Sequence, residues 1–372
     1  MKKTIVILFF LLSFFLPVIS NSGQLLAHID KMIFLQGKVG EKTLTLKIKC
    51  YNESPVRYLD YFFDDKKTDQ YMEGNFIGNT WQFISLETEK TEKNLVIREE
   101  KDGNWKGYWR EGSDKKINVI LYPINVNPEA NYFYYSKSKE LDPYDSYKVF
   151  IFQLDKIKTE KAAKNFQLEW LTEKESGISF FRVQNENKKV NCDSINKNLE
   201  QIQLAILQDY FRFNPNRSNL NIQAELLYLN EGIISFKIIT SMSFKNQPEV
   251  KTQQFFTLDM QTGQSVDLES LIWFDPQNPK PAANEITQTY EYRKAIFAPK
   301  LFSILSELYP QQMQSTDCKL NEVTSWAIPN FALTKKGFLF CLSYSKDCNL
   351  MDWAIIPYEK LTPYLEKKYK LN

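Results

Sequence analysis

Chemistry in this chain is limited first by a residue it nearly lacks. Histidine occurs once, at His28. Histidine is the commonest general base and the usual partner of a nucleophilic Ser or Cys. Ser-His-Asp and Cys-His relays therefore have almost nothing to draw on, and the HExxH type of zinc site is absent. The five cysteines are Cys50, Cys192, Cys318, Cys341 and Cys348, with no CxxC pair and no Cys/His cluster, so a structural zinc is not expected. No catalytic residue, cofactor or metal is assigned from the sequence.

Carboxylates remain. A glycan hydrolase needs two at a set separation, one with a raised pKa. Forty-five acidic residues supply pairs by chance, and no pattern singles one out. Asp142 and Asp145 lack the alternating acidic spacing of a calcium loop. Asp259 ends a strand before Gln261-Thr262-Gly263, where a carboxylate is expected to hydrogen-bond its own turn. Two segments echo each other, Glu73-Gly74-Asn75-Phe76-Ile77-Gly78-Asn79-Thr80-Trp81 and Gly103-Asn104-Trp105-Lys106-Gly107-Tyr108-Trp109. Glycine alternating with aromatics suits closely approaching strands with rings laid over the glycines. The same pattern makes Trp81, Trp105, Tyr108 and Trp109 the candidate platform for stacking a sugar, against the alternative that they fill a core.

The elements that would position these residues follow from patterning. Lys2 and Lys3 precede a 16-residue apolar run, Thr4–Ile19, and small residues follow at Ser20, Asn21 and Ser22. That order describes a secretory signal peptide over residues 1–22, and the run is short of the ~20 residues that span a bilayer. No Cys follows it to carry a lipid, so a periplasmic or secreted protein with no integral membrane segment is expected. Removing Lys2 and Lys3 leaves 45 basic against 45 acidic residues, with no basic block to attract nucleic acid.

Oxidising surroundings make disulfides available. Cys318 and Cys348 lie in polar segments, STDCKL and SKDCNL, whereas Cys341 sits inside the apolar run GFLFCL. A Cys318–Cys348 bridge is expected, with Cys341 buried and free. Closing a loop of about 30 residues stabilises by about 3–4 kcal/mol in the chain-entropy picture.

Residues 23–125 read as an antiparallel β meander or barrel-like domain, eight short runs separated by turn residues. Residues 126–177 read as a linker with connecting strands, including a strand over 147–155 and a short helical turn at Ala162-Ala163. Residues 178–372 read as an α+β domain with helices packed on an antiparallel sheet. Its first helix follows Cys192, with Ile195, Leu199, Ile202, Ile206 and Tyr210 on one face. A longer helix over 285–309, with Ile286 and Tyr290 among its apolar positions, should kink or split at Pro299. A hairpin turning at Thr334-Lys335-Lys336-Gly337, a strand over 352–357 and a helix from Tyr358 close the chain.

Two phrases in this half carry a resemblance. QQFFTLDMQTGQSVDLESLI takes a strand into Asp, a Thr-Gly turn and a Leu-x-x-Leu helix. FALTKKGFLF followed by WAIIPYEKLTPYL supplies a Phe-x-Leu-Thr strand, a Gly turn and an Ile-Pro-Tyr strand before the last helix. Residues 178–372 thereby resemble the extracytoplasmic domain family of unknown function found in the lysozyme-sensing anti-sigma factor RsiV and beside the catalytic domain of a peptidoglycan deacetylase. The resemblance implies a domain that is not itself catalytic. The function expected is a non-catalytic exported bacterial binding module at the cell surface or in the periplasm, its partner an envelope protein or a cell-wall fragment. A cell-wall glycan hydrolase, a lysozyme-binding protein and a structural envelope protein are the alternatives. Zero net charge gives a basic lysozyme no electrostatic pull.

Overall fold

The computed structural model describes residues 29–51, 54–85, 92–112, 114–126, 141–186, 190–212, 218–244, 248–282, 285–342, 351–369 and 371. The expected signal peptide, His28 and Cys348 lie outside them.

Eight strands open the chain: β1 (Ile29–Val39), β2 (Lys42–Tyr51), β3 (Val56–Phe63), β4 (Lys66–Ile77), β5 (Thr80–Ser85), β6 (Lys93–Glu99), β7 (Trp105–Glu111) and β8 (Ile117–Pro123). Each pairs antiparallel with the next, and β1 pairs with β8, so the meander closes into a barrel. Period-two alternation points Leu35, Leu44, Leu46, Ile48, Leu59, Tyr61, Met72, Phe83, Leu95, Ile97, Trp109 and Leu121 inward. Tyr61 and Phe63 meet Trp109 edge-on, so the interior is packed with side chains. Three barrel glycines sit where strands approach, among them Gly37 on the β1–β8 seam, where a Cβ would lie 1.9 Å from the Ile120 carbonyl oxygen. A Cβ on Gly107 would lie 1.8 Å from the Val96 carbonyl oxygen, and one on Gly74 would lie 2.1 Å from that of Gln82. The Phe83 ring occupies the space beside Gly74, as the glycine-aromatic alternation suggested.

The stretch expected as a strand over 147–155 is instead helix α1 (Pro143–Phe150), followed by strand β9 (Leu154–Ala163). The cause is local. Asp142 caps the helix by accepting from the Asp145 amide at 2.9 Å, and Pro143 is preset for a first turn. Ala162-Ala163 end β9 rather than forming a helical turn. Strand β10 (Phe166–Glu173) pairs with both β9 and β11 (Ser179–Asn185). One sheet thus holds strands from both sides of the expected boundary at 177/178.

Helix α2 (Asp193–Arg212) lays Ile195, Leu199 and Ile202 on this sheet and on strands β12 (Ser218–Leu229), β13 (Ile233–Phe244) and β14 (Val250–Asp259). Its last two turns bury Leu207 and Phe211, while Ile206 and Tyr210 are only half-covered. A second core forms under helix α3 (Ile286–Tyr292), a π-helical turn (Arg293–Phe297) and helix α4 (Ala298–Leu308). The expected break at Pro299 is taken up by that π turn. Proline has no N–H to complete the ladder, and a wider turn just before it absorbs the mismatch. Buried residues step Tyr292, Phe297, Leu301, Leu305, so the first step is one longer than the rest. The shift corrects the expected face: Ile286 is 78% exposed and Tyr290 is exposed, while Tyr292 turns inward. Strands β15 (Asn330–Leu333), β16 (Gly337–Cys341) and β17 (Ile355–Pro357), then helix α5 (Tyr358–Leu361), complete the molecule. Thr334 Oγ1 accepts from the Lys336 and Gly337 amides in the expected hairpin turn. The molecule is α+β and mostly β.

Candidate functional site

Two places concentrate groups capable of chemistry or recognition. The first is the β4–β5 tip. Gly78 carries the positive φ (+65°) that a two-residue hairpin needs at its first central position, followed by Asn79. Phe76 and Trp81 are direct cross-strand partners and share the face of Gly74 and Phe83. From inside to outside the rings run Phe83, Trp81, Phe76. Trp81 stacks on Phe83 at 6.3 Å between centroids, leans on Trp105 at 6.1 Å and meets Phe76 at 5.0 Å. Trp105 and Phe83 are buried and Trp81 is half-buried, but Phe76 is 50% exposed and Ile77 59% exposed. Nearby Arg57, opposite Gly74, has its guanidinium held by the carbonyls of Tyr51, Ser54 and Val56.

The four residues of the candidate platform therefore part company. Trp105 and Trp109 alternate with Lys106 and Tyr108 along β7, and both indoles sit in the barrel interior. Trp109 donates through Nε1 to Glu111 Oε1 at 3.1 Å. Tyr108 lies on the opposite face under Lys116, whose Nζ is 4.1 Å from its ring centroid. No single face holds all four, because strand alternation separates residues one apart. Phe76, which was not among them, takes the exposed place beside Trp81. Its signal in the sequence was the same glycine-aromatic alternation, read one strand too late.

The second place is a charged cluster sealed between the barrel wall and α1. Lys148 is 1% exposed, and its Nζ lies 2.5 Å from Asp69 Oδ1. The Tyr144 hydroxyl donates to the same carboxylate. Lys47 Nζ reaches Asp142 Oδ2 at 3.0 Å and Asp145 Oδ2 at 3.5 Å, and Arg212 at the end of α2 reaches Asp145 Oδ2 at 3.2 Å. Lys49 pairs with Asp60 at 2.5 Å, and Lys67 with Glu175 at 2.8 Å. Burial raises the Asp69 carboxyl above its usual range against the opposing Lys148 charge. Burial also pulls the Lys148 ammonium down, against Asp69. At Lys47 burial acts downward too, yet Asp145 and Asp142 outweigh it and hold the ammonium above its ordinary value. Perturbed groups of this kind often mark active sites. Here each charge is answered by another across the junction of β2, β3, β4, α1 and α2, and the cluster acts as a clasp. Asp142 and Asp145 serve as a cap and as ion-pair partners, which leaves their carboxylates committed.

Asp259 behaves as its turn implied. Oδ1 accepts from the amides of Gln261 and Thr262, both at 3.0 Å, and Oδ2 accepts from the Tyr369 hydroxyl at 3.0 Å and from Lys368 at 3.3 Å. Burial would raise this carboxyl, but those donors hold it below its ordinary value. Cys318 is disulfide-bonded and its expected partner, Cys348, lies outside the described residues. Cys341 is a buried free thiol, as expected, pushed up to about 12 by burial. Among the described residues no group of three or more His, Cys, Asp or Glu is placed to hold a metal ion. Among them, too, no helix is long and apolar enough to cross a membrane.

No family model matches the chain, and no curated protein does. A solved structure similar to it is that of a DUF3298 family member from Bacteroides fragilis. Identity is 12%, covering 58% of this chain and 94% of that one, with a TM-score of 0.31.

Proposed function

We propose that this protein is a non-catalytic exported binding module, working in the periplasm or at the cell surface, with the rim of its barrel as the contact surface. The observation that carries this reading is the aromatic β4–β5 tip. It exposes Phe76, with Trp81 behind it, and on the other face Ile77, on a rigid closed barrel. Recognition residues on a loop held by a rigid scaffold are the usual arrangement for binding. The strongly perturbed acid and base, Asp69 and Lys148, are spent on each other inside the clasp. Under this proposal residues 178–372 belong with the family of the RsiV extracytoplasmic domain, and Cys318–Cys348 staples the C-terminal hairpin.

The test is retention of the protein on purified peptidoglycan and on immobilised lysozyme, with Phe76→Ala in parallel. Retention that weakens in the variant supports the reading. Turnover of murein or of a chromogenic glycoside would overturn it in favour of a hydrolase.

A further inference from the structure

The tip also carries a statement about ligand chemistry, which rests on the binding reading above. From Gly74 to Gln82 the sequence is GNFIGNTWQ, without a single ionisable side chain, in a chain that is 25% charged. What it carries instead is a ring ladder and short neutral polar groups. Asn79 is exposed at the turn, whereas Asn75, Thr80 and Gln82 belong to the other face of the hairpin. Arg57, opposite Gly74 on β3, turns one nitrogen of its guanidinium, Nη1, to the backbone carbonyls of Tyr51, Ser54 and Val56. We propose that the β4–β5 tip binds uncharged glycan, with a pyranose ring laid on Phe76 and Trp81 and its hydroxyls met at the turn by the Asn79 amide.

A pyranose ring presents an apolar face of C–H groups and a rim of hydroxyls. An aromatic face answers the first, and the amide of Asn79, which donates and accepts, answers the second. A charged polymer would call for Lys, Arg, Asp or Glu at the contact, and the tip has none. A lipid surface is favoured by Lys or Arg beside the aromatic residues, again missing from this stretch. Rigidity adds to the case. Both strands of the tip are paired into the closed barrel, and Trp81 is braced by Phe83 and Trp105. Little ordering is then left for the ligand to impose.

The test applies the full chain to an array of uncharged oligosaccharides, then measures the best ligand by calorimetry beside phosphatidylcholine vesicles. The expected result is binding to a neutral oligosaccharide and none to vesicles. Phe76→Ala should weaken that binding about tenfold, the scale of one aromatic contact. Asn79→Asp keeps the rings and adds one charge, and it too should weaken binding. Circular dichroism checks that both variants keep the barrel. Three outcomes would overturn the proposal: no neutral glycan bound, binding unchanged in Phe76→Ala, or binding to vesicles alone. The two readings fail separately. Lysozyme retention that ignores Phe76→Ala leaves a binding module and removes the glycan, whereas turnover of a glycoside removes both.

Discussion

The barrel interior and the junction on the barrel's outer wall are equally sealed from water and are built from opposite chemistry. Inside, Leu44, Leu46, Ile48, Leu59, Leu95 and Ile97 are fully buried hydrocarbon, each contributing about 1.5–3 kcal/mol when taken out of water. On the outer wall Lys148, Asp69, Lys47 and Asp145 are nearly as buried, and there the loss of hydration roughly offsets the attraction between charges. The interior holds the barrel together. The junction differs from a greasy contact in its pairing: in this seating of α1, Lys148 meets Asp69, Lys47 meets Asp142 and Asp145, and Arg212 meets Asp145. Stability and orientation are thus supplied by different faces of the same strands.

That contrast can be broken at several points, beginning with the most damaging. Gly107→Val drives a Cβ into the Val96 carbonyl and should leave no closed barrel, seen as loss of the cooperative thermal transition. Asp69→Leu or Lys148→Met alone strands one buried charge and should cost about 3–5 kcal/mol in denaturant unfolding. The double variant should recover most of that loss. If it is as unstable as either single, the junction is a net source of stability and the contrast fails.

Glu200 sharpens the comparison through pH. On the half-buried side of α2, burial lifts its carboxyl to about 7, against Arg182 and Lys197. A carboxyl with a raised folded-state pKa keeps its proton longer when folded than when unfolded. The fold therefore loses stability as pH rises from about 4.5 to about 7, and is unaffected by this group below that window. Glu200→Gln should match the wild type at pH 4 and exceed it by about 1 kcal/mol at pH 8, allowing for partial solvent screening. Matching melting curves at both pH values would contradict this. Smallest is Tyr369→Phe, which removes one donor to Asp259. It should cost about 1 kcal/mol by chemical denaturation and leave the barrel untouched.

Much of this was legible beforehand where the cause is local. The eight strands, the Asp259 turn, the Thr334 hairpin and the close approaches at Gly74 and Gly107 follow from alternation and turn chemistry within a few residues. α1 was misread because Tyr147 to Phe152 is as apolar as a strand. Its helical state depends on the Asp142 cap and on burial of Tyr144 and Lys148 against Asp69, more than seventy residues earlier. Ile286 was assigned to the wrong face for a related reason. A five-residue π turn changes the phase of a helix, and periodicity cannot be carried across it.

The sequence alone, then, determined the number and order of the first strands, the turns that join them and a charge-free aromatic tip, since each depends on neighbours in the chain. Tertiary structure alone decided that β1 meets β8, that Trp105 and Trp109 point inward while Phe76 projects beyond the filled interior, and that charged residues of β2, β3, β4, α1 and α2 converge on one clasp. Those outcomes depend on register and closure, which are set by contacts between distant residues and leave no local pattern to read.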